Sequence, residues 1–144
     1  MDKKETINNL INTVSKNEKL KEAMIGISND QCLSDGVDDL KKRNDFFAFL
    51  GISLALLAYS KIITLNNETD YCESSQDEKT IAYLAEKVQK NKTLFNLITD
   101  IINNETGEEE PKVRYRIFLT TALSLLVGRH MITINENWNS KSPY

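Results

Sequence analysis

Two stretches of the sequence recur later in the same chain. Residues 6–29 align without a gap on residues 80–103, and residues 49–68 align without a gap on residues 118–137. The residues shared by the two copies are both apolar and polar, and they include Leu10/Leu84, Asn17/Asn91, Leu20/Leu94, Leu54/Leu123 and Ile63/Ile132. Two copies of one unit must bury equivalent apolar faces against each other or in a stack. The pattern predicts an internal duplication, and a chance alignment of Leu-, Ile- and Asn-rich helices is the alternative.

Length and composition favour a single helical domain. A chain of 144 residues with 40% hydrophobic residues can bury a core of its own. Five Gly and two Pro are too few for a turn-rich sandwich or barrel, whereas the Leu, Lys, Glu, Ala and Ile content suits helices. We expect one domain over residues 1–144, with repeat 1 at about residues 4–70, repeat 2 at about residues 76–138 and a polar tail at residues 139–144.

Each repeat is expected to begin with two amphipathic helices. Apolar residues of the first helix recur at helical spacing, as Ile7, Leu10, Ile11 and Val14 in repeat 1 and as Ile81, Leu84, Ala85 and Val88 in repeat 2. Asn17 and Asn91 fall where this stripe ends and a second begins, so each is expected to close one helix in the left-handed conformation or to cap the next. A capping box of Ser75 and Glu78 marks the expected start of the first helix of repeat 2.

The third helix of each repeat is expected to lie at the centre of the molecule. Residues 46–60 and residues 117–128 contain no charged side chain. A helix that is apolar on all sides is buried on all sides, and both segments are shorter than the roughly twenty apolar residues that a membrane span needs. We expect these two helices to pack on each other and the other four to surround them. Buried Ser and Thr in them can bond the carbonyl one turn back.

A β-branched segment follows each central helix. These segments are residues 62–66 and residues 131–135. Either the helix continues through them, or they extend and pair as a short two-stranded ribbon across a pseudo-twofold axis. The expected fold is therefore all-α, with or without this ribbon: a six-helix bundle of two pseudo-twofold-related three-helix repeats.

Charge and residue types exclude several classes of function. The net charge of −3 gives no global basic field for nucleic acid or membrane. His130 is the only histidine and sits at an expected helix end, and Cys32 and Cys72 have no ligand spacing, so we expect no metal, no cofactor and no catalytic group. Two unpaired thiols and the absence of an N-terminal apolar run favour a cytoplasmic protein, although a disulfide is the alternative.

A non-enzymatic role in protein–protein interaction or assembly is the expected function. The tail carries two aromatic residues, Trp138 and Tyr144, in a polar context. Tryptophan is common among residues that anchor a partner, but a lone tryptophan also often covers its own core. We expect a protein partner or a homo-oligomer, with Trp138 and Tyr144 as the candidate partner-binding residues.

The alternative function is binding of a nucleic-acid backbone within a larger nucleoprotein complex. Cations in the first turns of a helix oppose its dipole, and two such clusters precede the central helices. They can bind phosphates while an interleaved tyrosine stacks on a base, or they can simply pair with neighbouring acidic residues such as Glu108–Glu110. The candidate residues are Lys41, Lys42, Arg43, Lys112, Arg114, Tyr115, Arg116 and Arg129.

Overall fold

The chain folds into helices joined by one small sheet. The structure, a computed structural model, describes residues 2–34, 40–72, 77–107 and 112–135. Within these ranges the α-helices are α1 Lys3–Lys16, α2 Glu18–Ser34, α3 Leu40–Tyr59, α4 Glu78–Lys90, α5 Lys92–Glu105 and α6 Lys112–Gly128. The strands are β1 Ile63–Leu65 and β2 Ile132–Ile134, and a 3₁₀ turn spans Glu68–Asp70. We call α1–α3 with β1 the first half, and α4–α6 with β2 the second half.

Asparagine separates the first two helices of each half, as the sequence predicted. Oδ1 of Asn17 accepts the Leu20 amide, and Oδ1 of Asn91 accepts the Leu94 amide, both at 3.0 Å. Each asparagine ends one helix with φ near −80° (−83° and −80°), outside the left-handed region. Of the two roles considered, capping of the following helix is therefore the one observed.

The start of α4 differs from the predicted capping box. The N-cap is Asp77, whose carboxylate accepts the Thr80 amide at 2.7 Å, and Glu78 is the first helical residue. Ser75 lies outside the described residues. The prediction was wrong because the sequence holds two candidate caps two residues apart, and the carboxylate nearer the apolar stripe is the one at the helix end.

The two apolar helices α3 and α6 meet in a cluster of four aromatic rings. The Phe46 ring lies 5.1 Å from the Tyr115 ring and 4.6 Å from the Phe118 ring, and the Phe49 and Tyr115 rings are 4.9 Å apart. All four residues are buried. α1 and α2 pack on α3, α4 and α5 pack on α6, and α2 and α5 each also contact the central helix of the other half. In the part of the chain that the structure describes, no helix combines the length and apolar character that crossing a membrane requires.

Two buried serines bond the carbonyl one turn back, and Ser124 does so in a central helix, as predicted. Ser28 donates to the Met24 carbonyl and Ser124 to the Thr120 carbonyl, both at 2.8 Å. Ser53 differs, because its fully buried Oγ has no hydrogen-bond partner among the described residues.

Of the two alternatives for the β-branched segments, the extended ribbon is the one observed. β1 and β2 pair antiparallel with Thr64 opposite Thr133, at the centre of the three-residue register. The Asn66 side chain donates to the His130 carbonyl at 2.9 Å, and the Asn135 side chain donates to the Lys61 carbonyl at 2.8 Å. Lys61 and His130 both turn the chain with positive φ, 66° and 58°.

The two bonds are equivalent: each donor asparagine and each acceptor carbonyl of one bond has a counterpart 69 residues away in the other. The donors are Asn66 and Asn135, and the acceptors are Lys61 and His130. The recurrence accords with two similar halves, while the duplication itself stays a prediction.

Candidate functional site

An open groove lies between α4 and the ribbon. It has a volume of about 790 Å³. Residues of α4, the start of α5, the end of α6 and β2 form its walls. We call it the α4–β2 groove, and it is lined by Asn66, Thr80, Leu84, Lys87, Val88, Lys90, Asn91, Leu94, Val127, Gly128, His130, Ile132, Thr133 and Ile134.

The groove has an apolar floor and a polar rim. Val88, Leu94 and Ile132 are almost fully buried and belong to the core. On the rim, Lys90 is paired with Glu86 at 2.6 Å, and the Lys87 ammonium lies 5.4 Å from the centre of the Tyr83 ring. Such a surface suits an apolar or aromatic side chain that carries one hydrogen-bonding group.

In the first half, a tyrosine lies beside the asparagine that corresponds to Asn91. Val14, Asn17 and Leu20 align with Val88, Asn91 and Leu94 of the groove. There the Asn17 side-chain amide donates to the phenol oxygen of Tyr71 at 2.7 Å. The cavity that remains beside Asn17 has a volume of about 260 Å³. Among the described residues, no side chain bonds the Asn91 amide in the same way.

The environment of Tyr71 changes its acidity. Burial raises the pKa of the phenol above its ordinary value of 10.0. The hydrogen bond from Asn17 acts in the opposite direction, and the nearby Glu68 carboxylate adds to the rise. The raised pKa is the result of the partial burial of Tyr71 beside Asn17.

A second surface, on α5 and α6, exposes large apolar side chains. Val113 is 69% exposed, Ile117 52% and Phe95 38%. The Arg116 guanidinium lies over the Phe95 ring at 4.5 Å and donates to the Thr99 hydroxyl at 2.9 Å. Residues three and four apart on a helix are neighbours, so Val113, Arg116 and Ile117 adjoin one another. We call Phe95, Val113, Arg116 and Ile117 the α5–α6 face.

The two predicted basic clusters lie at the same end of the molecule. Residues 41–43 and residues 112–116 are each within about 8 Å, along their helix, of the contact between the Phe46 and Tyr115 rings. Lys41 is exposed, whereas Lys42, Arg43 and Arg114 are half-buried. The Lys112 ammonium donates to the Thr106 hydroxyl at 2.8 Å and to the Gly107 carbonyl at 3.4 Å.

Two of the predicted nucleic-acid-binding residues, Tyr115 and Arg129, lie away from the surface that these clusters form. Tyr115 is only 5% exposed and its ring packs in the aromatic cluster, so it has no face for a base. Arg129 follows α6 at the opposite end, where its carbonyl accepts the Cys72 amide at 2.8 Å. Arg116 contacts Phe95 and Thr99 of α5. The predicted partner-binding residues Trp138 and Tyr144 lie outside the described residues, as does the acidic run Glu108–Glu110.

The described residues contain neither a metal-ligand group nor a disulfide. Across residues 2–34, 40–72, 77–107 and 112–135, no three His, Cys, Asp or Glu side chains are grouped to hold a metal ion. Cys32 is buried, Cys72 is half-buried, and no disulfide joins them. The His130 side chain is exposed on the rim of the groove.

No protein-family description, curated protein or solved structure matches this chain significantly.

Neither the α4–β2 groove nor the α5–α6 face was predicted from the sequence. A signal for the α5–α6 face was present in the sequence. Val113 and Ile117 are large and apolar, whereas the residues at the aligned positions of the first repeat are Asn44 and Ala48. Tyr71 gave no such signal, since it lies beyond the stretch that aligns.

Proposed function

We propose that this chain is a small non-enzymatic subunit that binds a protein partner through the α5–α6 face. The observation that supports this is the exposure of Phe95, Val113 and Ile117 on adjoining positions of two helices. Soluble proteins rarely leave contiguous apolar surface of this kind unless it is used. The corresponding positions of α3 are Asn44 and Ala48, so the first half has no large apolar side chains at these two positions, while its exposed Ile25 and Leu40 lie elsewhere.

Arg116 adds specificity to this face. Its guanidinium is held by the Phe95 ring and the Thr99 hydroxyl, so little side-chain freedom remains to be lost on binding. Arginine and aromatic residues are the types most often found where binding energy concentrates. The partner that fits is an amphipathic segment with apolar side chains and one carboxylate opposite Arg116.

The ionisable groups support a structural role more than a catalytic one. The pKa of Asp77 is lowered by the Thr80 amide and then by the Thr80 hydroxyl, which is the effect of a helix cap. The pKa of Glu86 is lowered and that of Lys90 raised because the two pair on the surface of α4. Each shift has a cause that needs no substrate.

The test compares Ile117→Asp with Ala48→Asp. Both residues are exposed at aligned positions of α6 and α3, so an effect on folding alone should be similar in the two variants. A photo-crosslinking residue at position 113, introduced in the native cells, identifies the bound protein, and the purified pair is then measured by calorimetry. We expect Ile117→Asp to weaken binding at least tenfold and Ala48→Asp to leave it unchanged. Equal binding by both variants contradicts the proposal.

Binding of a nucleic-acid backbone is a second candidate, supported by the convergence of the two basic clusters at one end. It is less favoured because six carboxylates, at Asp35, Asp38, Asp39 and Glu108–Glu110, are adjacent to these clusters in sequence and reduce their field. Salt titration separates the two functions. Phosphate binding falls steeply with salt, whereas burial of Val113 and Ile117 does not.

A further inference from the structure

We propose that the α4–β2 groove binds a small molecule that has an elongated apolar body and one carboxylate at its end, as a medium-chain carboxylic acid has. The carboxylate lies beside Lys87 and Lys90, and the apolar body lies against Leu84, Val127 and Ile134. This inference is independent of the proposed function, because the groove and the α5–α6 face share no residue.

The size and length of the groove fit such a ligand. Its volume of about 790 Å³ lies within the range of about 300–1,000 Å³ that is common for ligand pockets. Thr80, Leu84 and Lys87 line it at a spacing of four and three residues, which places side chains on one face of α4. At about 1.5 Å per residue, the face from Thr80 to Asn91 is about 16 Å long. An elongated molecule can therefore lie along α4.

Three partly exposed apolar side chains supply the contacts for the body of the ligand. Leu84 belongs to α4, Val127 to α6 and Ile134 to β2, and all three are half-buried and line the groove. Because some of their surface is still in contact with water, a ligand can cover it without displacing core residues. Removal of this apolar surface from water favours binding.

The charge of the groove favours an anion at one end. Among the described residues that line it, Lys87, Lys90 and His130 are basic and none is acidic. Lys87 and Lys90 lie in the last turn of α4. Thr80 and Leu84, toward the opposite end of the same helix face, carry no charge. A ligand with one anionic end and an uncharged remainder matches this polarity.

The present contacts of the two lysines allow a carboxylate to bind. The Lys90–Glu86 pair is largely exposed, with side-chain exposures of 74% and 59%, so water screens it and its energy is small. An ammonium has more than one N–H donor, so the contact of Lys87 with the Tyr83 ring is compatible with a hydrogen bond to a ligand. A ligand carboxylate beside apolar side chains is screened less than the exposed pair.

The corresponding cavity of the first half has neither the size nor the charge for this ligand. Its volume is about 260 Å³, and the charged residue that lines it is Glu68. The residue aligned with Lys87 is Thr13. The site is therefore expected in the second half alone, which makes the first half a source of matched control positions.

Titration of the isotope-labelled full-length chain with decanoate, followed by amide NMR spectra, tests the proposal. The extended chain of decanoate fits within the length of the α4 face, and we expect saturable binding with signal shifts concentrated in α4 and β2. Decanol has the same apolar body without the charge, and butanoate has the charge with little apolar body. Each should bind at least about tenfold more weakly than decanoate. The proposal is overturned if decanoate does not saturate, binds no more tightly than either control, or shifts mainly other elements.

Matched double variants test the role of the lysines. Lys87→Gln with Lys90→Gln should weaken decanoate binding at least about tenfold and leave decanol binding unchanged. The control is Lys16→Gln with Lys19→Gln, which removes the same charge from exposed positions of the first half that do not line the groove. All four lysines are exposed, so both proteins should fold. Equal decanoate affinities of the two double variants contradict the assignment.

A second pair of variants tests the apolar contacts. Leu84→Ala should weaken the binding of both decanoate and decanol, because the contact with the apolar body is reduced. Leu10→Ala, at the aligned half-buried position of α1, should weaken neither. Unchanged decanoate binding by folded Leu84→Ala would show that the apolar body lies elsewhere.

Discussion

Tyr71 and Asn17 join two parts of the chain that are 54 residues apart, through a 2.7 Å hydrogen bond from the asparagine amide to the phenol oxygen. Asn17 uses its other side-chain atom, Oδ1, to cap α2. One asparagine therefore fixes both the turn between two helices and the segment that follows β1. Asn91 caps α5 in the same way and is one of the residues that line the α4–β2 groove.

Removal of the phenol oxygen should destabilise the first half measurably. Tyr71→Phe keeps the ring but leaves the Asn17 amide without this acceptor, so we expect the free energy of unfolding to fall by about 0.5–1.5 kcal/mol. Urea denaturation monitored by circular dichroism measures the change. Tyr83→Phe is the control, because Tyr83 is 58% exposed. Equal losses in the two variants would show that the Asn17–Tyr71 bond contributes nothing specific.

The stability of the protein should depend on Tyr71 at alkaline pH. Because burial raises the pKa of its phenol, the folded state holds the proton more tightly than the unfolded state, whose pKa is near 10.0. This contribution is fully present below the unfolded pKa and is lost as pH rises through the folded pKa.

Denaturation of the wild type and of Tyr71→Phe between neutral pH and about pH 11 measures this contribution. We expect the wild type to lose its advantage in that range. A constant difference between the two proteins across the whole range would exclude the coupling.

The features that the sequence predicted depend on residues close together in the chain. Asn17 and Asn91 sit between two apolar stripes, and a cap acts on an amide three residues away. The ribbon was one of two alternatives that the sequence left open, because β-branched residues follow both central helices.

The features that the sequence did not predict depend on contacts between distant elements. The Arg116 guanidinium packs on Phe95 of another helix, and Tyr115 is buried against Phe46 and Phe49 of α3. Nothing in the spacing of Lys112, Arg114 and Arg116 distinguishes a cation bound to α5 from one that faces solvent. The basic cluster was therefore visible in the sequence, but the positions of its members were not.

Glycine at the two left-handed turns should stabilise the protein. Lys61 and His130 adopt φ values of 66° and 58°, which cost a residue with a Cβ about 1–2 kcal/mol. Part of this gain is lost to the larger entropy of glycine in the unfolded chain, so we expect Lys61→Gly and His130→Gly each to raise the free energy of unfolding by about 0.5–1 kcal/mol. The effects should add, because the two turns lie at opposite ends of the ribbon and their carbonyls accept from different asparagines.

Ser60→Gly is the control for the left-handed turns. Its φ is not positive, since Lys61 and His130 are the only non-glycine residues with positive φ in the described ranges. Glycine at position 60 therefore relieves no strain and should lower the stability. Destabilisation by Lys61→Gly as large as that by Ser60→Gly would contradict the strain argument.

The two buried serines of the central helices should respond in opposite directions to replacement by alanine. Ser53 has no partner for its Oγ among the described residues, whereas Ser124 bonds the Thr120 carbonyl, and both side chains are fully buried. An unpaired buried hydroxyl is costly, so Ser53→Ala should raise the free energy of unfolding by up to about 1 kcal/mol. Ser124→Ala should lower it by about 0.5–1 kcal/mol, because a formed bond is lost.

The aligned positions in the other half provide a natural comparison for these variants. Position 122, aligned with Ser53, is already Ala, and position 55, aligned with Ser124, is also Ala; both alanines are fully buried. Alanine is therefore compatible with this packing, and the loss of one oxygen volume is common to both variants. The difference between their unfolding free energies isolates the hydrogen bond. Destabilisation by Ser53→Ala equal to that by Ser124→Ala would mean that the Ser53 hydroxyl is satisfied in solution.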